Sequence, residues 1–455
     1  MRICVVGLGK LGSPLAAVLA SKGHDVIGID LNPTFVDAIN AGIAPVEEPG
    51  LQAMISANRE RLSATTDWAT AMKDAEATFM IVPTPSGSDG TFVNTFVLQA
   101  IERLGAELRR HDRYHLVVVS STVMPGSTGG PIREALEAAS GRTLGDRLGL
   151  CYNPEFIALG NVLHGLLCPD FVLIGESDAR AGAMLEELYK GVCHPAASIA
   201  RMNFVNAELT KISLNTYVTT KISFANMLAE ICDRLPGADV DVVTDAIGRD
   251  TRVGRKYLRG ALGFAGPCFP RDTIAFSRMA RTVGIAADIA EATDAINLRQ
   301  IDRLFRIVSA GAGPGDGVVV LGLAYKPDTP VIEQSQSVAL VQRLVKAGHR
   351  VTVYDPAAMP PVRAMMGDSI AYADGVEDAV KGAAVVVVAT AWDEFRALSP
   401  QALEPADGGR PVVVDCWRIL PRDAFADVAD ILYLGRNTDQ GSAHRTPARA
   451  LEMAD

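Results

Sequence analysis

Short, largely apolar runs recur along this chain, and each ends in a cluster of small, polar or proline residues. The first is Arg2-Ile3-Cys4-Val5-Val6, and 25–29, 78–82, 116–119 and 148–152 follow. Runs of this length that do not alternate predict strands covered on both faces, as in a parallel sheet. Stretches with helical spacing, such as Pro14 to Ser21, separate them, so the expected unit is strand, crossover helix, strand. From about Ala200 to Leu235 the pattern turns helical and long, and Ala238 to Ile247 predicts another helix. After the turn 311–317 the strand rhythm resumes at 318–323, 350–354, 384–389 and 411–415. The pattern predicts an α/β chain: two doubly wound parallel-sheet domains joined by a long-helix central domain. The expected boundaries are 1–199, 200–300 and 301–435, with 436–455 a flexible tail.

The first turn makes the N-terminal domain Rossmann-like. Gly7-Leu8-Gly9-Lys10-Leu11-Gly12 leaves a strand and opens a helix, whose first N–H groups can receive a pyrophosphate. The strand 25–29 ends in Asp30, at the distance where an acid takes both hydroxyls of an adenosine ribose. No arginine follows in Leu31-Asn32-Pro33, which favours NAD over NADP. The next strand tails carry Pro83-Thr84, Ser121-Thr122 and Asn153-Pro154-Glu155. In a parallel sheet all three emerge at the carboxyl edge beside the cofactor, although such hydroxyls also serve as helix caps and turn residues. The C-terminal domain repeats the rhythm, but its first turn, Gly322-Leu323-Ala324-Tyr325-Lys326-Pro327, lacks the glycine pattern. It should bind something other than a dinucleotide. Lys326 and Arg418 stand just beyond strand ends, where each could take a diphosphate or be an ordinary surface cation.

Two further patterns carry chemistry. Glu208, Lys211 and Asn215 share one helix face, and an ammonium and an amide pointing together make an oxyanion site. On a solvated face the same spacing is only an exposed Glu-Lys pair. The second is Gly263-Phe264-Ala265-Gly266-Pro267-Cys268-Phe269-Pro270-Arg271-Asp272. A cysteine in a Gly/Pro turn that runs into a helix sits where backbone N–H groups favour a thiolate. If helix begins at once, Asp272 returns to the face of Cys268 and can handle a proton or a water. The alternative is a buried structural cysteine.

Composition narrows the partners. The chain has 455 residues, 48% hydrophobic and 21% charged, which is a globular composition long enough for two or three domains. A net charge of −10 gives no basic field, so nucleic acid is not expected as a partner. Seven scattered cysteines without CxxC or Cys/His clustering predict reduced thiols in a cytoplasmic protein and no metal site. Glycines interrupt the N-terminal apolar run too early for a signal peptide, and no run is long enough to span a bilayer.

With these pieces placed, the sequence resembles the UDP-glucose/GDP-mannose dehydrogenase family over nearly its whole length. The glycine turn, Val82-Pro83-Thr84-Pro85, Ser121-Thr122-Val123-Met124-Pro125-Gly126, Asn153-Pro154-Glu155-Phe156, the Glu208/Lys211/Asn215 helix, the cysteine turn and Leu321 to Thr329 carry the resemblance. It implies oxidation of the C6 hydroxymethyl of a nucleotide sugar to a carboxylate with two NAD⁺, of use in polysaccharide biosynthesis. It implies that Cys268 forms the thiohemiacetal and thioester and that Lys211 and Asn215 stabilise the oxyanion. Asp272, Thr122 and Glu155 would hold or deprotonate water. Arg252 would reach the substrate across a homodimer interface, and Phe156, Gly263, Lys326 and Arg418 would contact the nucleotide sugar. UDP-glucose, giving UDP-glucuronate, is the expected substrate. The alternatives are a UDP-N-acetylhexosamine or GDP-mannose, a two-electron enzyme of the 6-phosphogluconate dehydrogenase type, and a non-catalytic nucleotide-sugar binder. Two departures stand out. Leu159 replaces a second glutamate and Glu333 an arginine, which implies a remodelled cofactor edge. Ala265 and Pro267 stand where glycine and serine are common.

Overall fold

The computed structural model describes residues 1–193, 197–313, 315–403 and 409–437. The chain divides into two compact units, Met1–Leu214 and Asn215–Asp455, with the boundary inside the helix Phe204–Arg234.

The first unit is built on eight strands: β1 Arg2–Val6, β2 Asp25–Ile29, β3 Leu62–Thr65, β4 Ala77–Met80, β5 His115–Val119, β6 Leu148–Tyr152, β7 Phe171–Glu176 and β8 Ser198–Met202. Their order is β3-β2-β1-β4-β5-β6-β7-β8. The order reverses between β1 and β4, the switch point at which doubly wound sheets bind ligands. Along β1, Ile3 and Val5 enter one core and Cys4 and Val6 the other, because successive side chains leave opposite faces. Both faces are covered, so the run is apolar throughout.

Two features differ from the expectation. β7 runs antiparallel to β6, and β8 is parallel to β7. The segment joining β6 to β7 holds one short helix, Val162–Leu167, and β7 starts at the edge where β6 ended. That keeps Asn153 to Gly160 at the carboxyl edge. Furthermore, Ala200 to Met202 belong to β8, in register with Leu173–Gly175. Ladder hydrogen bonds override the helical spacing there, and the long helix begins only at Phe204.

The second unit carries a six-stranded, all-parallel sheet: β9 Gly317–Leu321, β10 Arg350–Tyr354, β11 Ala371–Tyr372, β12 Val385–Val388, β13 Val412–Asp415 and β14 Asp430–Tyr433. The order β11-β10-β9-β12-β13-β14 repeats that of the first six strands. The helix Asp288–Gly311 sets Leu304, Ile307 and Val308 into one core with Val318, Val320, Val385 and Val387. Asp233 on the long helix takes Arg303 and the Gly435 N–H. Arg436 pairs with Asp239, and the Asn437 amide donates to Asp233 O at 2.9 Å. The expected flexible tail therefore does not begin at 436, and its remainder, 438–455, lies outside the described residues. Among the described residues no helix is long and apolar enough to cross a membrane.

Candidate active site

In the first unit the glycine turn is shaped for close approach. A Cβ on Gly12 would run into Gly7 O, whereas one on Gly9 would meet nothing within 4 Å. The turn thus closes on itself while leaving one face open. The helix Gly12–Ser21 has no side-chain cap at Leu11; Ser13 N–H closes on Gly9 O and Pro14 has none, so an anion there would be held by the helix dipole and the turn's remaining N–H groups. Lys10 is exposed and Leu11 packs against the core. Half-buried Asp30 accepts Leu8 N–H at 2.7 Å and Asn32 N–H at 2.8 Å. An open glycine face, an uncapped helix start and an acid at the end of β2 fit the pyrophosphate and ribose of NAD.

The second unit has the counterpart acid, Asp355, at the end of β10. It is 1% exposed and accepts the N–H groups of Leu323, Ala324, Ala357 and Ala358 and the indole of Trp392. Both of its oxygens are thereby taken up by the chain. This gives the missing glycine pattern its physical counterpart.

The loops after β4 and β5 are tied to one another. Ser121 Oγ donates to Val82 O at 2.6 Å and accepts Val82 N–H, and Thr84 Oγ1 donates to Thr122 O at 2.6 Å. The hydroxyls of Ser121 and Thr84 thus hold loop to loop, while Pro83 is exposed and Thr122 half-buried. Glu208 does similar work. It is fully buried and accepts Gly126 N–H at 2.6 Å and Thr128 N–H at 2.7 Å, so it clamps the loop behind Thr122 and is not part of an exposed Glu-Lys pair.

One turn further on, Lys211 is 6% exposed and donates to Glu155 O at 2.6 Å, its ammonium 4.7 Å from the Phe156 ring. Burial pushes the Glu155 carboxyl up to about 7, against the Tyr189 hydroxyl and the Lys211 charge, which both pull it down. Glu155, Phe156 and Lys211 therefore form one cluster. Glu48 holds the loop behind them by accepting Gly160 N–H at 2.9 Å and Val162 N–H at 2.7 Å, and Leu159 packs against the core.

In the second unit Cys268 is exposed at the N-cap of the helix Phe269–Thr282. Asp272 N–H closes on Cys268 O at 2.8 Å, so helix does begin at once and Asp272 returns one turn on. Asp272 is 1% exposed. Its Oδ2 accepts the Asn215 amide at 2.6 Å; its Oδ1 faces the Arg271 guanidinium at 3.6 Å and has no hydrogen-bond partner among the described residues. A buried carboxylate oxygen that lacks a hydrogen bond is a place for a water or a substrate hydroxyl.

The turn that leads to the thiol is held by buried amides. Asn226 takes Ala261 N–H at 2.8 Å and gives to Leu262 O at 3.0 Å, and Asn297 gives to Phe264 O at 3.0 Å. Gly263 lies between the Asn297 and Gln336 side chains. Arg252 is exposed and paired with Asp250, and Lys326 is half-buried next to Tyr325. Several of these groups lie outside the sequence expectation. Glu48 meets its loop more than a hundred residues away, and Tyr189 reads as one more apolar-face residue. Asn226 could have been found: an amide amid Phe224-Ala225-Asn226-Met227-Leu228 signals a polar partner inside.

Three models of one protein family match this chain. Residues 1–193 match the NAD binding domain of the UDP-glucose/GDP-mannose dehydrogenase family, residues 205–299 its central domain, and residues 319–422 its UDP binding domain. The UDP-glucose 6-dehydrogenase AglM of Haloferax volcanii is 37% identical over 437 residues, 95% of this chain and 100% of that protein. A GDP-mannose 6-dehydrogenase of Pseudomonas putida is 30% identical over 422 residues, 88% and 94% of the two chains. Among solved structures, a UDP-glucose dehydrogenase from Pyrobaculum islandicum superposes with a TM-score of 0.86 at 35% identity, covering 95% of this chain and 96% of that one.

Arg418 lies inside the last matched segment, yet its side chain is 1% exposed and all five of its N–H groups are in use. They reach both Asp241 oxygens and the carbonyls of Gly260, Leu434 and Cys416. Contrary to the expectation of a cation beyond a strand end, this guanidinium fastens the helix Val240–Gly248 and the 260 turn to the sheet. Arg418→Ala should lower the melting temperature markedly, by the equivalent of about 3 kcal/mol for a broken buried pair. Weaker UDP binding with an unchanged melting temperature would contradict that assignment.

Proposed function

Because this chain belongs to the UDP-glucose/GDP-mannose dehydrogenase family, we propose that it oxidises the C6 hydroxymethyl of UDP-glucose to the carboxylate of UDP-glucuronate. The observation that carries the reading is an exposed Cys268 at a helix N-terminus, with Asp272 one turn on and one oxygen of that acid without a hydrogen bond among the described residues. The names of AglM and of the Pyrobaculum islandicum enzyme favour UDP-glucose over GDP-mannose.

NAD⁺, when bound, accepts one hydride in each of two oxidations. After the first, C6 is an aldehyde. The Cys268 sulfur adds to that carbon, the thiol proton departs and the carbonyl oxygen becomes an oxyanion. Lys211 and Asn215 donate to it. Hydride loss from this adduct restores the C=O as a thioester. Water then adds, the C–S bond breaks, and the carboxylate leaves as the thiol is regained. Glu155 takes the proton of that water, since a base near neutrality combines the right charge state with driving force. Asp272 and Thr122 hold the water.

We also read the active form as a homodimer. Tyr217, Phe224 and Ile231 repeat every seven residues along the long helix and are exposed, as is Leu235. This makes an apolar stripe of the kind a partner covers. Arg252 is 87% exposed, so it is accessible to a substrate held by the partner.

Three outcomes are expected. In a panel of nucleotide sugars, UDP-glucose should yield about two NADH per sugar, and Cys268→Ser should lower carboxylate formation about a thousandfold or more. Turnover of only GDP-mannose or an N-acetylated sugar would remove the substrate assignment, and full turnover by Cys268→Ser the covalent route.

The second outcome concerns pH. Glu155 must be ionised to act, so log kcat should climb with pH through about 7, and in Glu155→Gln that limb should vanish. The same raised carboxyl favours the fold fully below its ordinary value of 4.5 and loses that contribution as pH rises through about 7. The variant should therefore gain stability relative to the parent on the alkaline side.

Light scattering on the full chain should give twice the chain mass. Tyr217→Glu with Phe224→Glu should give one.

A further inference from the structure

The turn that presents the thiol has one loose joint. Asn226 and Asn297 fix 261–264, and Pro267 has its own φ locked by its ring. Between them lies Gly266, at φ +87, the residue type that gains most freedom when nothing restrains it. Two contacts restrain it, both from the loop after β9. Its N–H donates to Glu333 O at 3.0 Å. A Cβ on this glycine would lie 2.6 and 2.7 Å from Cε2 and Cδ2 of Tyr325, so the tyrosine ring stands directly against the bare α-carbon. The loop is itself closed, with Tyr325 N–H donating to Val331 O at 3.0 Å. Burial raises the Tyr325 hydroxyl well above its ordinary value, and the negative charges of Cys268, Glu333 and Tyr257 add to the effect, in that order. Cys268 is thus the largest electrostatic influence on that hydroxyl after burial. The neighbouring Lys326 ammonium lies 6.0 Å from the same ring.

We propose that Tyr325 is the positioning residue for Cys268: its ring, seated on Gly266, holds the cysteine turn in the one conformation that aims the sulfur at the oxidised carbon. The inference rests on the reading of Cys268 as the nucleophile. It adds the side chain that makes that nucleophile point one way. A ring is required and a hydroxyl is not, because the contact is made by Cε2 and Cδ2. Phenylalanine should therefore replace tyrosine and alanine should not. Loss of the ring should harm the second oxidation, which needs the sulfur, more than the first, which does not.

The test needs no substrate at first. Full-length wild type, Tyr325→Phe and Tyr325→Ala are treated with iodoacetamide, and each cysteine peptide is followed by mass spectrometry. Exposed Cys168 serves as the reference and buried Cys416 as the reporter of folding. Because alkylation follows thiolate character and access, the Cys268 rate should shift about threefold or more in the alanine variant and stay near wild type in the phenylalanine variant. Cys168 should not change. If Cys416 becomes reactive in Tyr325→Ala, Tyr325→Leu takes its place in the same comparison.

With UDP-glucose, the alanine variant should lose about tenfold or more in kcat with little change in KM, as expected of a misplaced reacting atom. Its NADH yield should fall from two per sugar toward one, and phenylalanine should restore both. A Cys268 alkylation rate equal to wild type in the ring-less variant overturns the proposal, as does equal damage from phenylalanine and alanine. Should wild type oxidise no nucleotide sugar at all, the proposed function fails, while the alkylation comparison still decides the role of Tyr325.

Discussion

A reactive sulfur is useful only on backbone that cannot wander, and a Gly/Pro-rich turn is the backbone least able to hold itself. Its N–H and C=O groups make few bonds to one another, so they need partners from elsewhere. In the second unit those partners are Asn226, Asn297 and the Glu333 carbonyl. Each binds main chain rather than side chain. The sequence of the turn is thereby freed to carry small residues. The first unit uses the same device with carboxylates: Glu208 on the 126–128 loop and Glu48 on the 160–162 loop. An ionised acid that accepts two N–H groups is a stronger clamp than a neutral amide, since charge-assisted bonds are the stronger class.

The two sheets show how one topology is directed to different ligands. Both run in the same strand order and both end their second strand in an aspartate. Asp30 keeps part of its surface, with a glycine face open above it, whereas Asp355 is wrapped by four backbone N–H groups and an indole. Ligand identity therefore lies not in the fold but in how far the chain fills its own switch point.

Legibility followed the range of the interactions involved. The strands around each switch point were readable because burial on both faces makes a run apolar regardless of partner: β1, β2, β4 to β6, β9, β10, β12 and β13 all announce themselves. β3, β7, β8, β11 and β14 lie outside the expected strands; β3, β8, β11 and β14 are edge strands, of mixed polarity in Leu62-Ser63-Ala64-Thr65 and Ser198-Ile199-Ala200-Arg201-Met202. The local part of the site was equally readable. Cys268 and Asp272 are four residues apart on one helix start, and Lys211 follows from helical spacing. What failed was any inference from exposure. Arg418 reads as a surface cation because no acidic side chain nearby in sequence answers it, while its acceptors are Asp241 and the carbonyls of residues 260, 416 and 434.

The departures at 159 and 333 follow the same logic. In the loop after Glu155 the backbone N–H groups of Gly160 and Val162 are already satisfied by Glu48, and Leu159 lies against the core. No second acid is required to order that loop. At 333 the group in use is the main-chain carbonyl, which receives Gly266 N–H whatever side chain the residue bears. An arginine could thus become a glutamate without releasing the cysteine turn. The change is tolerated mechanically because the grip is made by backbone, and it sets a negative charge beside Tyr325. Substitution is cheapest where the chain contributes only its peptide groups, and the positions that must keep their side chains are those, like Asn226 and Asn297, that reach across to satisfy someone else's.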